Sequence, residues 1–101
     1  MGRPVSQDFR FQNASVYFFA FPELGRIKIG VSNDVESRLR RLATEQKCMG
    51  VILHTMPGNR RIEAAQHKRF SLWRVEGEWF RDCPEARNLI SKIATRAGAH
   101  E

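Results

Sequence analysis

The order of apolar and polar positions predicts a hairpin early in the chain and helices after it. Residues 15–21, Ser-Val-Tyr-Phe-Phe-Ala-Phe, combine aromatic and β-branched side chains and predict a strand. Pro22-Glu23-Leu24-Gly25 predicts a turn, and 26–31, Arg-Ile-Lys-Ile-Gly-Val, alternates as a second strand. With those four turn residues as the loop, Phe21 opposes Arg26, Phe19 opposes Lys28 and Tyr17 opposes Gly30. Successive strand side chains point to opposite faces, so one face carries Val16, Phe18, Ala20, Ile27, Ile29 and Val31. That face is a core. The other carries Tyr17, Phe19, Phe21, Arg26, Lys28 and Gly30. It sets the only tyrosine opposite a residue without a side chain and diagonal to Lys28, which reads as a site more than a packing surface.

Helical spacing follows. Val35, Leu39, Leu42 and Ala43 stand at i, i+4, i+7 and i+8 and form one apolar stripe. Ser32 or Asn33 is expected to cap this helix, Asn33 with Glu36 resembling a capping box. Arg38 borders the stripe, Arg41 lies one turn further along the same side, and Arg40 points elsewhere. A third strand is predicted over 49–56, stopped by Pro57-Gly58. A helix over 59–72 then puts Glu63 and His67 four apart on one face. After Gly77-Glu78-Trp79-Phe80, a final amphipathic helix begins near Pro84 and turns Leu89, Ile90, Ile93 and Ala97 inward. The expectation is an α+β domain with a small three-stranded antiparallel sheet flanked by helices, in the order ββαβαα. Residues 1–14, polar and containing Pro4, are expected as a mobile or loosely docked arm, 15–97 as the single domain, and 98–101 as a tail.

Composition narrows the partners. At 101 residues the chain fits one domain, and such a fold hides roughly 60–70% of the surface exposed on unfolding. A hydrophobic content of 42% excludes disorder as the main state. No apolar run nears the roughly 18 residues that span a bilayer, and no apolar segment behind Met1 resembles a signal peptide. A cytoplasmic or nuclear setting, with no membrane, is expected. The net charge of +6 is concentrated, since 26–74 hold eleven basic and four acidic residues. A basic middle with near-neutral ends describes a positive face more than a basic tail. Nucleic acid is the leading partner class, ahead of an anionic membrane surface. Cys48 and Cys83 lack zinc-finger spacing and are expected as small core or surface residues, with a disulfide or catalytic thiol less favoured.

Several candidates also have ordinary readings. Tyr17 taken alone is one more aromatic in a Phe-rich strand, and Arg38, Arg40 and Arg41 form the kind of run that lines a solvated helix face. Glu63 and His67 suit a surface i,i+4 pair. Trp79 and Phe80 fit a core plug closing the sheet better than a base-stacking platform, and His54 is expected to be structural or exposed. Glu78 is expected to cap or to pair with an arginine, with no catalytic role. Glu63 stands out among these residues. A lone acid in a basic region repels phosphate unless a cation bridges them.

Val16-Tyr17, then Lys28-Ile29-Gly30, Arg38 eight residues later and Glu63 on a later helix resemble the GIY-YIG nuclease superfamily. The closer likeness is to its branch typified by meiotically up-regulated gene 113-like and phage-encoded proteins, through Lys28-Ile29-Gly30, the Glu63, His67, Arg69-Phe70 helix and the closing Gly77-Glu78-Trp79-Phe80. This resemblance implies a three-stranded antiparallel sheet flanked by helices, and metal-dependent hydrolysis of DNA phosphodiester bonds. It implies that Tyr17 helps activate water, Arg38 binds phosphate, and Glu63 holds Mg²⁺ or Mn²⁺. His67 falls where relatives often carry a histidine. Ser15 replaces the glycine of the first motif, and Lys28 replaces the tyrosine of the second. Lys28 is expected to compensate by lowering the pKa of Tyr17, ordinarily about 10, or by contacting phosphate. Arg26, Lys28, Arg38 and Arg41 are the expected nucleic-acid contacts. The alternatives are a weakly active or inactive nucleic-acid-binding module of the same fold and, behind it, an adaptor for an acidic protein. Specificity is expected to be relaxed, or supplied by a protein partner.

Overall fold

A computed structural model describes residues 13–99, with side chains as far as Arg96. β1 (Ser15–Phe21) and β2 (Arg26–Ser32) pair antiparallel in the register expected from the alternation, with Tyr17 opposite Gly30 and Phe19 opposite Lys28. The turn closes through Leu24 N–H donating to the Phe21 carbonyl at 2.9 Å, and Gly25 takes the left-handed φ of 64° that favours glycine. β3 (Val51–Pro57) pairs antiparallel with the other edge of β1, with a register shift between Phe18 and Phe19.

The sheet continues beyond this point, and the three-stranded expectation is wrong. After α1 (Val35–Gln46), β3 and α2 (Arg60–Arg69), a 3₁₀ turn at Ser71–Trp73 leads into β4 (Arg74–Glu76) and β5 (Trp79–Arg81). α3 (Pro84–Ala99) ends the described chain. The sheet has five antiparallel strands ordered β3-β1-β2-β5-β4, and the element order is ββαβαββα. β4 and β5 have three residues each, too few for alternation to register against turn residues. They form because β2 would otherwise leave an open edge. Gly77 supplies the turn with φ 52°, and Arg74 Nε–H donates to its carbonyl at 2.8 Å. Trp79 then pairs with Lys28 and Phe80 with Ile27. The core-plug reading of this motif is right, since Phe80 is fully buried and Trp79 meets Phe21 edge to face at 5.5 Å.

Both faces of the hairpin are covered. On one, Val16, Phe18, Ile27, Ile29 and Val31 meet Phe70 and Phe80 together with Ala86, Ile90 and Ile93 of α3. On the other, Tyr17, Phe19 and Phe21 pack with Leu42, flanked by Val35, Leu39 and Ala43, all on α1. That second face is therefore a packing surface as well as the approach to a site, and its three aromatic rings have no exposed area. Two-sided cover explains why β1 is almost continuously apolar.

The caps show how the helices are placed. α1 is capped by Asp34, whose carboxylate accepts from Ser37 N–H at 3.1 Å, and not by Ser32 or Asn33. Ser32 stands one step back, its Oγ accepting from Asp34 N–H at 3.0 Å. Asn59 caps α2 by accepting from Arg61 and Ile62 N–H. Arg87 clamps Asp82 with two 2.8 Å hydrogen bonds at the start of α3. Residues 1–12 of the expected arm and 100–101 of the expected tail lie outside the described residues, as does the side chain of Ala97. Ala14 is buried, and its carbonyl accepts from Gly58 N–H at 3.1 Å. Cys48 and Cys83 are free and half-buried. Among the described residues no helix is long and apolar enough to cross a membrane.

Phe70 joins α2 to the sheet, its ring within 5.7 Å of Phe18 and of Trp73. Phe70→Ala is expected to cost about 3–5 kcal/mol in urea unfolding, more than any change on the exposed surface of α2.

Candidate active site

The site forms where β5 ends and β2 continues. β5 pairs with β2 only over Arg26 to Lys28, so the edge of β2 is uncovered from Ile29 onward. The N–H and C=O of a strand residue point to the same side, and both of Ile29's face this notch. Its N–H donates to the Glu78 carbonyl at 3.0 Å. Its C=O accepts from His67 Nε2–H at 2.9 Å. One backbone position thus draws the β4–β5 turn and helix α2 to the same place, and Glu63 stands one helical turn before His67.

Gly30, the next residue on β2, makes room for the ring of its cross-strand partner Tyr17. A Cβ there would collide with the phenol oxygen and the ring carbon that bears it. The Tyr17 ring also stacks on Phe19, with centroids 3.9 Å apart. Its Oη is buried without a hydrogen-bond partner. Burial pushes its pKa up to about 12, while the nearby Arg38 guanidinium pulls down without closing a bond on Oη, and Glu78 and Glu63 push up. The expectation that Lys28 lowers this pKa is overturned. Burial dominates, the opposing cation is Arg38, and the Lys28 ammonium lies 3.5 Å from Glu78 and 4.8 Å from the Trp79 ring centroid.

Glu63 is only 6% exposed. Its neighbours Ala64 and Ala65 are exposed, so a small rotation of α2 would bury methyl groups in place of a carboxylate. The rotation is held by Phe70 in the core and by the His67–Ile29 bond. Burial first, then the adjacent Glu78 carboxyl, hold Glu63's pKa up to about 7, and Arg60 and Lys28 oppose them. Oε2 of Glu63 lacks a hydrogen-bond partner, with His67 Nε2 at 3.9 Å already committed to Ile29. A buried charge without a partner is costly, which makes such a carboxylate a functional signal.

The expected residues divide into two groups. Tyr17, Lys28, Arg38, Glu63 and His67 converge on the notch. Arg26 and Arg41 do not: Arg26 pairs with Glu76 at 3.6 Å, and the exposed Arg41 pairs with Glu45 on its own helix at 3.9 Å. His67 tethers α2 and packs on Phe80 at 5.3 Å, so its imidazole positions Glu63. Glu78, expected to cap or to pair with an arginine, lies instead 3.5 Å from the Lys28 ammonium, and Gln66 carries no expectation from the sequence. Gln66 is 5% exposed with an unpartnered Oε1. Its signal was the spacing of Glu63, Gln66 and Phe70 at i, i+3 and i+7. Glu78 is signalled only once β5 is known, because it continues the β5 register opposite Ile29. His54 is half-buried near Phe18, and burial lowers its pKa.

Among the described residues no three His, Cys, Asp or Glu side chains gather into a metal cluster. The oxygen donors that do converge suit a hard cation that keeps much of its water, the habit of Mg²⁺. Unpartnered Glu63 Oε2 and Tyr17 Oη are where such a hydrated ion would find ligands and hydrogen bonds. Two open surface clefts, on α3 near Ser91 and at the start of α1 near Asp34, hold none of these side chains.

Two outcomes are expected. Gly30→Ala forces the Tyr17 ring aside and destabilises the fold by about 1–3 kcal/mol in urea unfolding. Glu63's raised pKa stabilises the folded chain fully below its ordinary 4.5, and this is lost as pH rises through about 7. In metal-free buffer the wild type therefore loses about 2–3 kcal/mol relative to Glu63→Gln between about pH 5 and pH 8, read as diverging melting temperatures.

The family model of the T5orf172 domain matches residues 14–96, which include all five strands and every residue of the notch. No curated protein and no solved structure matches the chain. The chain belongs to the T5orf172 domain family, a phage-associated domain of a nuclease-related clan.

Proposed function

We propose that the chain is a small metal-dependent endonuclease of the GIY-YIG type, hydrolysing DNA phosphodiester bonds at the notch beside β2. The family supports a nuclease or DNA-binding role. The observation that carries the finer reading is Glu63, a buried carboxylate with an unpartnered oxygen set among Arg38, Lys28 and Tyr17. Pure binding of a polyanion is opposed by such an acid, whereas cleavage uses it.

Arg38 and Lys28 supply the positive charge against which a phosphate seats and on which charge develops in the transition state. Glu63 holds the divalent cation, which when bound stabilises phosphoryl oxygens and lowers the pKa of water. Tyr17, with its pKa at about 12, is a neutral phenol at pH 7. Its Oη–H orients the attacking water, whose proton passes to solvent while the P–O bond to the leaving sugar oxygen breaks. His67, donating to Ile29, keeps α2 and therefore Glu63 in place. A second reading, a DNA-binding module without efficient cleavage, is favoured by the complete burial of Tyr17 Oη.

Incubation of supercoiled plasmid and of single-stranded DNA with Mg²⁺ or Mn²⁺ tests this. Wild type is expected to nick, and Glu63→Ala to lose at least about 100-fold in rate while keeping salt-sensitive DNA binding. Salt-sensitive binding by a wild type that never nicks would establish the binding module instead. Lys28→Ala is expected to weaken DNA binding and lower the slope of log Kd against log salt by about one, leaving the ultraviolet titration of Tyr17 unmoved.

A further inference from the structure

Glu78 is the residue of the notch that the proposed function does not use. It lies in the β4–β5 turn, with its backbone fixed by the bond from Ile29 N–H. Its side chain is 39% exposed and meets the Glu63 carboxyl on one side and the Lys28 ammonium, at 3.5 Å, on the other. Two carboxyls held together repel unless a proton or a cation lies between them. The fold could separate them by turning Glu78 into solvent, since the turn is at the surface. Instead both acids act on the phenol of Tyr17, whose buried oxygen also lacks a partner. Lys28 does not resolve the conflict. Its 3.5 Å approach to Glu78 is long, it also lies over Trp79, and it leaves Glu63 Oε2 unpartnered.

We propose that Glu78 is the second carboxylate of the cation site, so that a hydrated divalent ion sits between Glu63 and Glu78 with Tyr17 Oη facing its water shell. One or two carboxylates with water and phosphate oxygens is the usual seat of Mg²⁺. The arrangement explains three features together: the buried free oxygen of Glu63, the close approach of a second acid, and an unpartnered phenol next to both. Lys28 then neutralises Glu78 while the ion is away and is released toward phosphate when it binds.

The inference rests on reading Glu63 as a cation carboxylate, and the experiment separates the two. Mn²⁺ alone, without DNA, is titrated into the full chain and followed by calorimetry and by the electron paramagnetic resonance of free Mn²⁺. Wild type is expected to bind one ion, and Glu63→Gln and Glu78→Gln each to weaken it at least about tenfold. Glu76→Gln removes the same charge two residues away, on a side chain engaged by Arg26, and is expected to leave binding unchanged. Metal-free melting temperatures of Glu78→Gln and wild type are expected to agree or to favour the variant, because one repulsion is gone. Mn²⁺ is expected to raise the melting temperature of wild type more than that of Glu78→Gln. Wild-type affinity in Glu78→Gln with loss in Glu63→Gln overturns the role of Glu78 and leaves that of Glu63 standing. Equal weakening by Glu76→Gln also overturns it, as an effect of charge alone. A wild type that takes up no Mn²⁺ overturns both.

Discussion

Two backbone groups of Ile29 govern the arrangement of the site. They lie on the edge of β2 just past the end of β5, where an unsatisfied N–H or C=O taken out of water costs about 1–3 kcal/mol. The strand that could have paired them stops, and a turn carbonyl and an imidazole take its place. Had β5 run three residues further, the ladder would be complete and the notch filled. Stopping it early opens a gap in the sheet edge whose walls are a helix and a turn. Each wall carries an acid, and the backbone of β2 fixes the distance between them.

The notch has a cost that the rest of the fold carries. Among the described residues, four buried side-chain atoms lack hydrogen-bond partners, and two of them, Tyr17 Oη and Glu63 Oε2, face this place. Gln66 Oε1 is a third, on the same helix as Glu63. Buried polar atoms left open are rare because each loses its hydration without return. One of them, Tyr17 Oη, lies against the one glycine of β2, in a strand with an aromatic core on each side. Phe18, Phe70 and Phe80 on one face and Phe19 and Phe21 on the other hold the strands rigidly around the opening. That rigidity is what a site with preset geometry needs.

The hairpin, its register and the opposition of Tyr17 to Gly30 were legible in the sequence, because a period of two and a four-residue turn leave one solution. Glu63 was legible as an anomaly of charge. The burial of its neighbourhood was not, because α2 has few apolar residues and hides an acid and an amide while exposing Ala64 and Ala65. Its rotation is set by Phe70 and by a bond to a strand 38 residues away. β4 and β5 were illegible for a related reason. Three-residue strands have no period to read, and they form only in the presence of the β2 edge they cover. Glu78 followed them. Until β5 is paired with β2, nothing in Gly-Glu-Trp-Phe says which way its acid points. Arg26 and Arg41 show the converse, in which charge was legible but the acids that lie beside it, Glu76 and Glu45, were not.

The lysine at position 28 takes its meaning from this geometry. Position 28 stands between Phe19 and Trp79 on adjacent strands, so its stem is packed and its ammonium emerges beside Glu78. A phenol there would be neutral and would leave the pair Glu63 and Glu78 without their nearest compensating charge on β2. A lysine sets a positive charge 3.5 Å from one of the two acids. Tyr17, with Arg38 as its opposing cation and burial dominating both, needs no help from Lys28 to stay in its neutral form. Lys28 therefore belongs to the charge balance of the notch and not to the titration of the phenol, and it makes a second carboxylate beside Glu63 tolerable.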